Sequence, residues 1–98
     1  MGKYLMLWEL NESKMVDKPK EIAAGTKYLM EMVKQDIRKG LTKDWGVFVG
    51  ETNGYTVVEG TEQEVMNSVM QFNPFVRFKV RPIASVGHVE EMIQAMTK

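Results

Sequence analysis

Residues 44–60, DWGVFVGETNGYTVVEG, decide how the rest of the chain is read. Asn53-Gly54 is well suited to the two positive φ angles of a type I′ turn, so the stretch predicts a β-hairpin closing there. In that register Thr52 faces Tyr55, Gly50 faces Val57, Val49 faces Val58 and Phe48 faces Glu59. One face then carries Trp45, Val47, Val49 and Val58, and the other Phe48, Tyr55 and Val57, thinned by Gly46 and Gly50. A hairpin with one wet side alternates apolar with polar, and this one is apolar on both. Helices of the same chain can cover one face. The other calls for a second layer, most simply another subunit.

Upstream, Lys3–Leu10 has the same two-sided character, with Tyr4, Met6, Trp8 and Leu10 on one side and Leu5 and Leu7 on the other, which suits a central strand. Asn11–Lys18 reads as a loop. Asp17 and Pro19 mark a helix start, proline being tolerated in the first turn because its missing N–H has no helical partner there. The helix runs to Lys39, with Ile22, Leu29, Met32, Val33 and Ile37 on its apolar face, and Gly40 closes it as the C′ residue.

Downstream of the hairpin, Thr61-Glu62-Gln63-Glu64 is a capping box that opens a second helix, which ends before Asn73-Pro74. Phe75–Ile83 alternates Val76, Phe78 and Val80 against Arg77, Lys79 and Arg81, the pattern of a half-exposed edge strand. Ser85 caps a last short helix with Val86, Val89, Met92, Ile93 and Met96 on one side. The order β-α-β-β-α-β plus a C-terminal helix predicts an α+β, ferredoxin-like antiparallel sheet, spatial order 4-1-3-2, with its helices on one face. The first strand and the second hairpin strand are then central. The open face carries Leu5, Leu7, Phe48, Tyr55 and Val57, ringed by Glu9, Glu59, Arg77, Lys79 and Arg81.

Composition narrows the classes of function. Ninety-eight residues make one domain with a modest core. Lys plus Arg and Asp plus Glu are 13 each, a formal net charge of +0, which argues against phosphate-backbone binding and removes the self-repulsion that opposes association. With no cysteine there is no disulfide, zinc ribbon or thiol chemistry. The N-terminal apolar run is too short for a signal peptide and no stretch approaches the roughly 20 apolar residues of a membrane span, so a cytoplasmic protein without membrane contact is expected. A strand-borne RNA site of the RNA-recognition type would need further aromatics where Val57 and Glu59 stand, so nucleic acid is not an expected partner.

The first strand KYLMLWEL, the hairpin DWGVFVGETNGYTVVEG and the ending FVRFKVRPIASVGHVEEMI together resemble the dimeric α/β-barrel superfamily, and within it small muconolactone-isomerase-like proteins. The resemblance spans most of the chain and rests on pattern rather than on shared catalytic residues. It implies two sheets paired face to face and a pocket between sheet and helices. Members of that superfamily include isomerases, cofactor-free monooxygenases and haem degraders.

Few residues suggest chemistry. His88, the only histidine, follows the Ser85 cap on the polar side of the last helix; a general base or haem ligand is one reading and a solvated surface side chain the other. Glu9 and Glu59 share the open face with Arg77, as an acid–base pair, an anchor for an acidic ligand, or a rim ion pair. The nine methionines sit at core spacings and read as packing rather than metal ligands, so neither a metal nor another cofactor is expected. Ile22-Ala23-Ala24-Gly25-Thr26 carries no charge over more than a turn. It either tucks under the 11–18 loop or the last helix, or forms a second contact surface for a larger assembly or another protein, as an engineered interface also would. The expected interface is therefore Leu5, Leu7, Phe48, Tyr55, Val57 and Arg77 on the sheet, with Ile22 and Ala23 on the first helix. The expectation is a self-assembling domain; the alternative is a cofactor-independent isomerase or monooxygenase for a small aromatic or lactone-like ligand.

Overall fold

A computed structural model describes residues 2–12 and 18–97. Asp17, expected at the start of the first helix, lies outside them. Seven elements follow one another: β1 (Gly2–Leu10), α1 (Pro19–Arg38), β2 (Thr42–Val47), β3 (Asn53–Gly60), α2 (Glu62–Gln71), β4 (Val76–Ile83) and α3 (Val86–Met96). The fold is α+β, with one four-stranded antiparallel sheet hydrogen-bonded in the order β2-β3-β1-β4. Counted from the other edge, the same order is β4-β1-β3-β2. The two strands with apolar residues on both sides are thus the central ones, and the alternating β4 is an edge.

The helix ends are built as their sequences dictate. Pro19 opens α1, and Gly40 follows its C-cap with φ +82°, a left-handed geometry that glycine adopts without a Cβ penalty. In α2, the Thr61 hydroxyl accepts from the Glu64 N–H at 3.1 Å and the Glu64 carboxylate accepts from the Thr61 N–H at 3.0 Å. The backbone bond first, then the hydroxyl, holds the Glu64 carboxyl below its ordinary range. The fold therefore favours the ionised form, and this contribution is present above the ordinary glutamate pKa and lost as the pH falls through the lowered one.

The hairpin departs from its expected register. Asn53 and Gly54 do not turn: they begin β3, and no non-glycine residue among those described has a positive φ. The reversal is Phe48-Val49-Gly50-Glu51, where the Glu51 N–H donates to the Phe48 carbonyl at 3.0 Å and Gly50 takes φ +81° at the third position, as a type II turn requires. Trp45 now faces Thr56, Gly46 faces Tyr55 and Val47 faces Gly54. Packing explains the choice. The observed register draws Trp45 inboard to stack on Trp8, with ring centroids 5.4 Å apart and planes 9° from parallel, whereas a 53–54 turn would carry it past the end of its partner strand. Burying indole surface of that size outweighs a favourable dipeptide.

The displacement is six residues. Because side chains alternate with period two, an even slip leaves each residue on its expected face. Trp45, Val47 and Val58 face the helices, and Tyr55 and Val57 the open side. Val49, expected in the core, is 99% exposed in the turn. A bulge between Thr42 and Asp44 lets Thr42 and Trp45 both face the helices although three residues apart.

Two groups of buried side chains fill the space under the helices. Met6, Val58 and Val65 join β1, β3 and α2. Trp8, Val33, Phe72 and Val76 join β1, α1, the C-cap of α2 and β4. The phase of α1 also differs from expectation: Ile37 is 48% exposed, while Asp36 beside it is buried. Among the described residues, no helix is long and apolar enough to cross a membrane.

Candidate functional site

Between the sheet and the helices lies a cleft of about 400 Å³, within the range of small-molecule sites. Its walls are almost wholly apolar. Met6, Trp8 and Leu10 come from β1, Trp45 from β2, Leu29 and Val33 from α1, and Phe72 from the C-cap of α2. Exposed Thr26, Val47, Glu51 and Thr52 also line it and place its mouth at the end of the sheet where β1 finishes and the hairpin turns. The Trp8 indole is held in place by its N–H, which donates to the Tyr55 carbonyl at 3.2 Å.

One buried carboxylate reaches this cleft, apart from the exposed Glu51 at its mouth. Asp36 is 5% exposed, and its Oδ2 accepts from the Ser68 hydroxyl and the Gln71 amide of α2, each at 2.8 Å. The arrangement ties α1 to α2 and sets a strong hydrogen-bond acceptor in apolar surroundings, where interactions with a bound polar group are little screened. Thr42, Thr56 and Ser68 add hydroxyls to the lining. The cleft can hold a flat apolar molecule against the indoles and present one acceptor to a hydroxyl on it.

Asp36 was legible in principle. It follows Leu29 by seven residues and Val33 by three, so it falls on the apolar stripe of α1, and a lone acid there signals a buried partner.

The residues singled out for chemistry lie elsewhere. His88 sits at the start of α3, where its Nδ1 accepts from the Ser85 N–H at 3.1 Å while its own N–H donates to the Ser85 hydroxyl at 3.2 Å. That is a capping box in which histidine replaces the usual glutamate, and it gives His88 a structural task. Glu9 faces Asn53 and Arg77, and Glu59 faces Lys3. Six residues separate those two positions along either strand, roughly 20 Å at the strand rise, so the glutamates do not form an acid–base pair.

The open face gathers Leu5 opposite Val57 and Leu7 opposite Tyr55 on the two central strands. Phe48 stacks near Tyr55 at 6.4 Å between ring centroids. A hollow of about 420 Å³ lies over Leu7, Glu9, Phe48, Arg77 and Lys79. The Tyr55 hydroxyl donates to Asp44 Oδ2 at 2.8 Å, and this bond, with smaller effects of burial and of the carboxylate charge, holds the phenol above the ordinary tyrosine pKa. The protonated phenol is the form the fold favours, so its contribution is lost as the pH rises through the raised value.

On α1, Ile22 is 39% exposed, Ala23 to Thr26 are exposed, and a methyl group added at Gly25 would meet no atom within 4 Å. The C-terminal helix starts at the opposite end of the sheet and does not cover this patch. Residues 13–17 of the preceding loop lie outside the described set. Among the described residues, no group of three or more acidic or histidine side chains is placed to hold a metal ion.

The chain matches no protein-family model, and it matches none of the curated proteins.

Proposed function

We propose that the chain is a ferredoxin-like domain of the dimeric α/β-barrel type that assembles with copies of itself through the open face of its sheet. The observation that carries this reading is the block formed by Leu5, Leu7, Tyr55 and Val57. Four apolar side chains stand directly opposite one another at the centre of the sheet, and Leu7 is 41% exposed. An apolar patch with a polar rim is the usual mark of a contact surface. The rim is also self-complementary. Arg77, Lys79 and Arg81 line the β4 edge and Asp44 stands on the β2 edge, so two sheets stacked edge over opposite edge bring unlike charges together. The exposed Ile22 and Ala23 on α1 support a further contact, with another copy or with a second protein.

Leu7→Glu tests the assembly. It sets a charge at the centre of the patch and leaves the helix-side core untouched, so light scattering should show the particle mass falling to that of one chain with the circular dichroism unchanged. An unaltered mass would remove the sheet-face reading.

The cleft favours a second reading, a cofactor-independent isomerase or monooxygenase acting on a small aromatic or lactone-like molecule. Asp36 is the buried acid–base group in place for it. Titration with a catechol and with an unsaturated lactone should quench the emission of Trp8 and Trp45, and Val33→Trp, which fills the cleft, should abolish the response. Absence of quenching in the unaltered protein by either compound would set this reading aside.

A further inference from the structure

The cleft between sheet and helices carries a negative charge that nothing described in its wall offsets. Asp36 Oδ2 takes both hydrogen bonds of the side chain, from a hydroxyl and an amide, and both donors are neutral. Its Oδ1 receives none from any described residue. No described side-chain oxygen is both sealed off and unpartnered, so Oδ1 opens on the cleft that Asp36 lines. Among the described residues, no lysine, arginine or histidine lines that cleft. Lys34, Arg38 and Lys39, the neighbouring cations along the chain, are exposed, and the first two lie 3.5 and 4.0 Å from Glu31. A carboxylate buried among neutral partners is costly until an opposite charge approaches it.

The surroundings favour the same sign. Asp36 stands in the last turn of α1, where the helix dipole presents its negative end. Trp8, Trp45, Phe72 and Phe78 line the cleft, and aromatic faces attract cations, indole most strongly. Val33, one turn before Asp36, belongs to the buried cluster that holds Trp8 and against which Trp45 packs. Carboxylate and indoles therefore share one chamber. Glu51 at the mouth adds a second acid along the way in.

We propose that the cleft binds a small organic cation, a primary ammonium group on a flat apolar body. The ammonium meets Asp36 Oδ1, and the body lies against Trp8 and Trp45. An ammonium has three N–H donors and no acceptor, so it suits a single open carboxylate oxygen. A guanidinium pairs best with both oxygens of a carboxylate at once, and Oδ2 is already engaged by Ser68 and Gln71. The hydroxyl of Thr42, 7% exposed and also in the lining, offers the ammonium a second oxygen just beyond the end of α1. An anionic ligand would meet two acids and no described cation. The inference rests on the cleft of the second reading above and on no reaction within it.

Phenethylamine, phenethyl alcohol and phenylacetate share one body and differ in charge, so isothermal titration of the unaltered protein with each tests the preference. Near neutral pH the amine should bind at least about tenfold more tightly than the alcohol, the margin of one hydrogen bond to a charged group. Phenylacetate should not bind. Asp36→Asn keeps an acceptor for Ser68 and Gln71, so it should erase the advantage of the amine and leave the affinity of the alcohol unchanged, with the circular dichroism preserved. Equal affinities for amine and alcohol, or no binding of the amine, would overturn the proposal, and the unaltered protein alone can give that result. An advantage that survives in Asp36→Asn would overturn it too. Failure of the amine beside quenching by catechol or the lactone would remove this inference and leave the second reading standing.

Discussion

Gly54→Ala should lower the stability of the domain by about 3 kcal/mol, at the upper end of what overpacking a close-fitted interior costs. Gly54 is buried in the extended β3 strand. A methyl group there would overlap the Gly46 carbonyl oxygen, lie 2.6 Å from Trp8 Cζ2 and 2.8 Å from the Val47 Cα. Two of those three neighbours are backbone of the paired strand, which moves only if β2 separates from β3. The third is the indole on which Trp45 stacks. Gly50→Ala provides the comparison. Gly50 has φ +81° and no atom within 4 Å of an added methyl, so that change strains only the turn and should cost about 1 kcal/mol. Urea denaturation of the two variants measures both. If Gly50→Ala proves the more damaging, the chain reverses at Asn53-Gly54 after all and the register described above is wrong.

The second large effect belongs to Asp36. Asp36→Ala removes the acceptor for both the Ser68 hydroxyl and the Gln71 amide and leaves the hydroxyl buried without that partner. Each hydrogen bond to a charged group is worth about 1.5–3 kcal/mol, so a loss of about 3 kcal/mol is expected. For a domain of this size that corresponds to a fall in Tm of roughly 15 °C. Asp36→Asn keeps an oxygen able to accept both bonds and should lose only about 1 kcal/mol. Scanning calorimetry of the pair separates the two roles of the side chain. Equal and small losses would mean that Asp36 does not tie α1 to α2, and its place in the cleft would then be its only claim to importance.

Most of the fold is local chemistry and was legible as such. Pro19 and Gly40 bound α1, Thr61 with Glu64 opens α2, and Ser85 opens α3, because each depends on residues within one or two turns. The central place of β1 and β3 and the edge place of β4 followed from counting apolar sides. The face of each paired hairpin residue was also legible, since an even slip of register leaves it unchanged; Val49, which the slip moves into the turn, is the exception.

What the sequence by itself determined, then, is the set of elements, their caps and the sidedness of 44–60. The tertiary structure alone decided the register of that hairpin. Asn53-Gly54 is a strong local signal for a turn, but the contact that overrules it joins Trp8 to Trp45, across 37 positions of chain. The same holds for the candidate site. The apolar stripe of α1 marks Asp36, but its partners Ser68 and Gln71 meet it only when the two helices dock, and α2 alone does not say which of its polar residues is buried. Short-range patterning is written along the chain, whereas the choice among packings is made by the largest surfaces that can be buried together.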